Sequence, residues 1–130
     1  MTISLIGINH KSANLDVREK FSFNDDSSSL LLRRIKKIAY INEVLLVCTC
    51  NRTEIYIESK NGAQDIKNWL EKESEFNSFT DYMYDYQEED AIEHLFKVVS
   101  GLDSMVIGES EVLGQVKKAY KVALENKTID

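Results

Sequence analysis

A thiol and a guanidinium lie close together where the sequence predicts a tight turn. Residues 44–57 read VLLVCTCNRTEIYI, in which two apolar runs flank a short polar break. Cys50 ends the first run, and Arg52 follows it after a single residue. The thiolate is the nucleophilic form of cysteine, and a nearby cation favours it. The spacing therefore suits nucleophilic catalysis by Cys50.

The polar neighbours of Cys50 fit a reactive thiol. Asn51 tolerates turn geometry, and its amide can donate to a developing oxyanion. Arg52 carries a planar fork that matches a carboxylate or a phosphate. Glu54 either anchors Arg52 or points to solvent, and the sequence does not distinguish these two alternatives. From the residues alone, a purely structural hairpin explains the same turn.

Cys48 has a simpler interpretation than Cys50. In a strand, residues 44, 46, 48 and 50 share one face, so both thiols are expected to point the same way. Cys48 lies inside the apolar run and fits a small core residue, whereas Cys50 fits the rim of the sheet. Alternating cysteines on one strand make a poor disulfide, which favours free thiols in a reducing compartment.

Composition limits the class of protein. The chain has 130 residues, 43% hydrophobic and 29% charged, which suits one globular domain. A formal charge of −6 argues against a protein that holds nucleic acid mainly by a broad basic surface. The sequence has no apolar stretch of membrane-spanning length and no signal-peptide pattern, so we expect a cytoplasmic protein without a membrane partner. The sequence predicts no metal site, because it has only two cysteines and because His10 and His94 lie at no recognisable ligand spacing.

Hydrophobic periodicity predicts the elements that position the turn. The predicted order is strand, helix, strand, strand, helix, strand, at residues 3–8, 27–38, 44–49, 53–58, 63–72 and 79–86. Residues 11–23 are polar and irregular. This order is typical of the α+β ferredoxin-like fold, a split βαβ (βαββαβ) antiparallel sheet with both helices on one face. Two further helices are predicted at residues 91–100 and 109–125. From the residues alone, His94 on the first of these helices is interpreted as a structural histidine.

Three blocks of sequence resemble one known family. They read GINHKSA at residues 7–13, TCNRTE at 49–54 and HLFKVVSGLDSMVIGESEVLGQVKKAY at 94–120. In this order and at about this spacing, they resemble the N-terminal catalytic domain of glutamyl-tRNA reductase over nearly the whole chain. The chain departs from the family pattern at Asn14 and at Ser110-Glu111, where proline and Pro-Gln are frequent, and at Cys48, where serine or threonine is usual.

The resemblance implies a reaction in two halves. Members of the family use glutamyl-tRNA: a cysteine, here Cys50, attacks the activated carbonyl, releases the tRNA and forms a thioester. Hydride from NADPH then reduces the thioester to glutamate 1-semialdehyde, the first step of tetrapyrrole (haem) biosynthesis. The resemblance also makes His94 important for activity, in positioning or in proton transfer. It implies substrate contacts by Thr49, Asn51, Arg52, Ser104, Glu109, Ser110, Glu111 and Gln115.

Two of these residues match particular groups of the substrate. We expect Arg52 to bind the side-chain carboxylate of the glutamyl group, and Glu109 to lie near its ammonium group. Residues 1–130 are interpreted as the catalytic domain alone, because the chain has no Gly-x-Gly-x-x-Gly motif after a strand. The NADPH-binding and dimerisation domains would then belong to a longer homodimeric protein. The chain alone is expected to be a monomer that acylates or hydrolyses but does not reduce.

Two other classes of function remain open from the sequence. The first is a ferredoxin-like RNA- or protein-binding module with a structural cysteine, which would need basic and aromatic residues on an open sheet face. The second is a free-standing cysteine esterase, which would need a general base and an orienting partner. Thiol reactivity separates the enzymes from the module, and substrate choice separates the two enzymes.

Overall fold

A four-stranded antiparallel sheet with helices on both faces forms the protein. The computed structural model describes residues 2–101 and 111–130, without the side chains of residues 111 and 112. Its elements are β1 (Thr2–Asn9), α1 (Leu15–Lys20), α2 (Asp25–Lys36), β2 (Ile41–Cys48), β3 (Arg52–Ser59), α3 (Ala63–Lys72), a 3-10 helix (Asn77–Tyr82), β4 (Tyr84–Gln87), α4 (Glu89–Val99) and α5 (Glu111–Glu125).

The sheet confirms the ferredoxin-like prediction. The strand order is β2-β3-β1-β4, and every neighbouring pair is antiparallel. Strands β2 and β3 form the predicted hairpin, whose last pair is Cys48 with Thr53. Strand β1 runs along the other side of β3 and ends with Asn9 opposite Arg52. The end of β1 and the hairpin turn therefore lie at the same edge of the sheet.

Alternation along the strands gives the sheet two buried faces. Ile6, Leu46 and Ile55 belong to the larger core, to which helices α2 and α3 contribute Leu31, Leu32, Ile35, Ile66 and Leu70. The prediction that both of these helices lie on one face is confirmed. Leu5, Val47 and Tyr56 point to the opposite face, where α4 contributes Ala91 and Leu95, and α5 contributes Val116 and Ala119.

Helix α5 also lies along the outer edge of the sheet. Its Ala123 joins the larger core, while Ala119 packs against the smaller one. Beyond the helix, the Thr128 carbonyl accepts a hydrogen bond from the Val44 N–H at 2.9 Å. Strand β2, which is at the edge of the sheet, is therefore covered by the C-terminal part of the chain.

Two predictions of local structure were wrong. Residues 11–23 contain α1, whose N-terminus is capped by the Asn14 side chain; no residue of α1 is fully buried, so no apolar period marks it. The strand predicted at residues 79–86 is a 3-10 helix followed by the short β4. Phe79 packs against Phe21 with ring centroids 5.0 Å apart, and this aromatic packing outweighs the alternation.

Gly7 on β1 gives a first testable prediction. A methyl group at Gly7 would lie 2.6 Å from the Thr53 carbonyl oxygen and 2.8 Å from Glu54 Cγ. Both contacts are too close, so we expect Gly7→Ala to lower the free energy of unfolding by about 1–3 kcal/mol. Chemical denaturation measures the change.

Gly114 on α5 supplies the control, because nothing lies within 4 Å of the added methyl group. Gly114→Ala should raise stability by about 0.5–1 kcal/mol through helix propensity alone. Equal stability of Gly7→Ala and the wild type would contradict the close approach of β1 to β3.

Candidate active site

The turn between β2 and β3 is held closed by the side chain of Thr49. Its Oγ1 accepts hydrogen bonds from the N–H groups of Asn51, at 3.1 Å, and of Arg52, at 3.2 Å. The Thr49 N–H in turn donates to the Arg52 carbonyl at 2.8 Å. Cys50 lies inside this closed loop and is exposed. The structure thus presents one thiol to solvent on an ordered turn.

Cys48 has a different environment. It is half-buried; its Sγ accepts a hydrogen bond from the Phe23 N–H at 3.3 Å and lies 3.4 Å from Thr53 Oγ1. Because β2 ends at Cys48, the strand alternation used to place the two thiols on one face does not extend to Cys50. Cys48 joins β2 to the segment before α2, and Cys50 is the accessible thiol.

A buried carboxylate organises the face of the sheet beneath α4. Glu54 has no exposed surface, and Arg52 is 2% exposed. Glu54 Oε2 lies 3.3 Å from Arg52 Nη1 and 2.5 Å from His94 Nε2, and it also accepts a hydrogen bond from the Tyr84 hydroxyl. The Tyr56 hydroxyl donates to Oε1 at 2.8 Å. The structure therefore resolves the alternative that the sequence left open: Glu54 anchors Arg52.

The surroundings of Glu54 keep it ionised. Burial raises the pKa of Glu54, but the hydrogen bond and charge of His94, together with the charge of Arg52, more than offset burial and hold the pKa below its ordinary value of 4.5. Burial, and next to it the charge of Glu54, raise the pKa of the Tyr84 phenol above its ordinary value. Both pKa shifts indicate that Glu54 is an anionic carboxylate surrounded by hydrogen-bond donors.

His94 connects this buried group to the surface. It is 8% exposed, its ring stacks on Tyr86 at a centroid distance of 4.9 Å, and Nε2 faces Glu54. His94 also lines a shallow cavity of about 320 Å³ together with Lys11, Tyr86, Asp90, Glu93 and Lys97. The imidazole is therefore fixed on one side by Glu54 and reaches a solvent-accessible depression.

The residues proposed from the sequence fall into three groups in the structure. Thr49, Cys50, Asn51 and Arg52 form the turn, and His94 is joined to it through Glu54 and Arg52. Gln115 is exposed on α5 and lines a separate groove of about 640 Å³ with Cys48 and Lys118. The remaining residues lie outside the described part of the chain: Ser104, Glu109, Ser110 and the side chain of Glu111.

Sequence reasoning left Glu54 open between anchoring Arg52 and pointing to solvent, and it assigned no role to Tyr56 or Tyr84. Glu54 and Tyr56 alternate with apolar residues on β3. The sequence signal for the Arg52–Glu54 ion pair was a carboxylate two residues after Arg52 on the same predicted strand. Tyr84 comes from β4, and its contact with Glu54 depends on the pairing of β1 with both β3 and β4. Periodicity assigns a face to each of these residues but not a partner.

The described residues lack two features that are typical of metal and dinucleotide sites. Within residues 2–101 and 111–130, no cluster of three or more His, Cys, Asp or Glu side chains is arranged to hold a metal ion. The sheet is antiparallel throughout, unlike the parallel sheet with a glycine-rich turn that binds dinucleotides. No described helix has both the length and the apolar character to cross a membrane.

Comparison with known proteins identifies the family. The family model described as glutamyl-tRNAGlu reductase, N-terminal domain, matches residues 6–130. The chain belongs to this family. It is 41% identical to a glutamyl-tRNA reductase of Xylella fastidiosa over 129 residues, and 42% identical to one of Brevibacillus brevis over 135 residues. These alignments cover 99% and 98% of this chain and 29% of each relative.

A solved structure agrees with this assignment. The glutamyl-tRNA reductase from Methanopyrus kandleri superimposes with a TM-score of 0.77 at 32% identity, over 98% of this chain and 29% of that one. The α+β architecture predicted from the order of elements is thus the architecture of the family. The chain spans under a third of the length of the glutamyl-tRNA reductases that it matches.

Glu54 gives a second prediction, on stability. Glu54→Gln removes the negative partner of the fully buried Arg52, so we expect it to lower the free energy of unfolding by about 3–5 kcal/mol. Urea denaturation at neutral pH measures the loss. The control is Glu58→Gln on the same strand, whose carboxylate is half-buried and accepts from Asn42. A change as small in Glu54→Gln as in the control would contradict the role of Glu54.

The pH dependence of stability gives a third prediction. The pKa of Glu54 is lower in the folded protein than its ordinary value of 4.5, so the ionised group stabilises the fold above that pH. This contribution is lost as the pH falls through the folded pKa. Unfolding free energies measured from about pH 7 to about pH 3 should therefore fall more steeply for the wild type than for Glu54→Gln. Parallel curves would exclude Glu54 as a source of acid sensitivity.

Proposed function

We propose that this chain is the glutamyl-tRNA-binding, thioester-forming domain of a glutamyl-tRNA reductase, with Cys50 as its nucleophile. The observation that carries the proposal is the exposed thiol of Cys50 on a turn closed by Thr49 and followed directly by the Arg52–Glu54–His94 network. Membership of the family supports the same assignment. An ordered turn holds a nucleophile in a reactive orientation without paying for that order during the reaction.

The proposed step is an acyl transfer. Cys50 Sγ attacks the carbonyl carbon of the ester between glutamate and the terminal ribose of the tRNA. A C–S bond forms, the C–O bond to the ribose breaks, and the proton of the thiol goes to the departing ribose oxygen. The side-chain amide of Asn51, next to the nucleophile, is assigned to the developing oxyanion. The thioester that remains keeps an activated carbonyl.

Arg52 and His94 have proposed roles that the network supports in different ways. The Arg52 N–H closes the turn, and its guanidinium is paired with Glu54, so its binding of the substrate carboxylate stays a prediction. His94 is held by Glu54 at the edge of an open depression, which supports positioning or proton transfer. Substrate contacts remain proposed for Thr49, Ser104, Glu109, Ser110, Glu111 and Gln115.

The second half of the reaction is assigned to a longer protein. Neither the sequence nor the described sheet has the features of a dinucleotide-binding unit, so no hydride-transfer step is derived for these residues. In this proposal, NADPH-binding and dimerisation domains follow the present region, and the homodimeric protein forms glutamate 1-semialdehyde for tetrapyrrole biosynthesis. Residues 1–130 alone would be a monomer that acylates or hydrolyses.

The arrangement of helices argues against the binding-module alternative. RNA-binding domains of this topology stack bases on aromatic residues of an open sheet face. Here α2 and α3 pack on one face of the described sheet, and α4 and α5 pack on the other. Tyr56, which such a module would expose, is buried and bonded to Glu54.

The experiment is a labelling assay, and it gives a fourth prediction. The chain is incubated without NADPH with tRNA carrying radiolabelled glutamate, alongside Cys50→Ser and Cys48→Ser. We expect label on the protein, or accelerated release of free glutamate, for the wild type and Cys48→Ser but not for Cys50→Ser. Cys48 is the matched control because it is the other free thiol and is half-buried.

The alternatives give different results in the same assay. Label that persists in Cys50→Ser would remove Cys50 as the nucleophile. Equal turnover of simple esters and glutamyl-tRNA would favour a free-standing cysteine esterase. Absence of label from a folded chain, followed by labelling of a longer protein that includes the proposed C-terminal domains, would place the requirement for activity in those domains.

A further inference from the structure

The groove that Gln115 lines has no role in the turn or in the network around Glu54. It has a volume of about 640 Å³ and lies between the start of α2, the end of β2 and α5. A volume of this size is typical of a site for a small molecule. None of the described residues that line it belongs to the Arg52–Glu54–His94 network. The groove is therefore open for a part of the substrate that the network does not contact.

The groove lies beside the exposed thiol. Cys48, the last residue of β2, is one of its lining residues, and its Sγ accepts a hydrogen bond from the N–H of Phe23, which is another. Cys50 follows two residues later, and two residues of extended chain span at most about 7 Å. A single ligand can therefore occupy the groove and also present an ester bond to Cys50, whose side chain is exposed.

Apolar side chains and one aromatic ring line the inner part of the groove. Leu32 and Leu46 are buried there, and Val122 is half-buried. The ring of Phe23 is half-buried and packs edge-on against Phe21 at a centroid distance of 5.4 Å, which fixes its orientation. Aromatic side chains of this kind stack on the bases of single-stranded nucleic acids. The inner part of the groove therefore suits a planar, uncharged ring.

The charges at the rim exclude the anionic parts of an acyl-tRNA. The rim carries two carboxylates, Asp25 and Asp26, and one ammonium group, that of Lys118. Lys118 is paired with Asp25 at 3.2 Å, so the charge of Asp26 is left to repel a phosphate or a carboxylate. Of the glutamyl group, the phosphates and the terminal nucleoside, only the nucleoside is uncharged. Its hydroxyl and amino groups are donors that a carboxylate accepts.

We propose that the groove between α2 and α5 binds the terminal adenosine of the acyl-tRNA, with the base stacked on Phe23. The inference rests on the proposed function, and it gives Gln115 a contact with the adenine. Gln115 is exposed at the rim, and a side-chain amide matches adenine in a bidentate manner: its N–H donates to N7, and its oxygen accepts from the N6 amino group. A free adenine nucleotide offers the same chemistry and is the other source of the base.

The first experiment compares two esters of glutamate that differ only in the alcohol. Cys50-dependent turnover is measured with glutamate esterified to the ribose of adenosine and with glutamate α-methyl ester, and the ratio of the two kcat/KM values is the adenosine preference. Ser28→Trp fills the groove, since Ser28 lines it. We expect this variant to lower the adenosine preference by about 10- to 100-fold, which corresponds to the loss of one stacked base. Gln115→Ala should lower it by about tenfold through the lost amide contact.

Two controls match these variants. Leu30→Trp places the same side chain on the exposed side of α2, and Gln64→Ala removes an exposed amide on α3. Neither residue is among those that line the groove. Both controls should keep the adenosine preference of the wild type.

Other outcomes overturn the assignment. A wild type that turns over the two esters equally well would show that the adenosine is not bound during the reaction. An adenosine preference that a folded Ser28→Trp retains would place the nucleoside outside the groove. In both cases the Cys50-dependent labelling of the wild type by glutamyl-tRNA would remain, so the proposed function would stand without this inference.

A second measurement does not depend on catalysis. The side-chain amide resonances of Gln115 are followed by NMR in Cys50→Ser during titration with adenosine or with inosine, which lacks the N6 amino group. We expect a saturable shift with adenosine, a smaller shift with inosine, and neither shift when Ser28→Trp is added. Shifts with neither nucleoside, or equal shifts with both, would overturn the proposal.

The two measurements together separate the possible ligands. A selective shift with adenosine, combined with an adenosine preference that Ser28→Trp does not change, would assign the groove to a free adenine nucleotide and overturn its assignment to the acyl donor. A selective shift in a protein that fails the labelling assay would keep the adenosine site and reject the thioester function.

Discussion

The carboxylate of Glu54, buried with no exposed surface, is the constraint to which the side of the sheet beneath α4 is adapted. An ionised group in the interior is tolerated only with close partners, and here Arg52, Tyr56, Tyr84 and His94 supply them. These partners come from two strands and a helix, so a single charge fixes the position of α4 over the sheet. The absence of a side chain at Gly7 on β1 leaves the space in which Glu54 lies.

The two thiols have different environments although only one residue separates them in the chain. Cys48 is inside the last strand pair and contributes its sulfur to the packing of the segment before α2. Cys50 lies beyond the strand, in a loop whose backbone N–H groups at Asn51 and Arg52 donate hydrogen bonds to the Thr49 side chain. Both residues are free cysteines, and their difference arises from where β2 ends and not from the residue type.

Periodic patterns allowed the sequence to predict the sheet, the hairpin and the two helices of the larger core. The helix at Leu15–Lys20 escaped prediction because it buries none of its residues completely. The local part of the candidate site, residues 49–52, could be predicted from the sequence because these residues are adjacent in the chain. The connection of His94 to Arg52 could not be predicted from the sequence, because it passes through Glu54 and joins elements that are distant in the sequence.

The hydrogen bond between Val44 and Thr128 has a consequence for folding during synthesis. It covers the outer edge of β2 with residues from the far end of the chain. Until those residues leave the ribosome, the hairpin can pair with β1 while β2 keeps an unprotected row of backbone donors and acceptors. Long-range closure of this kind is slow relative to local structure, and an open strand edge is prone to intermolecular pairing. The nascent chain is therefore exposed to misassembly until Thr128, beyond α5, has been synthesised and has paired with Val44.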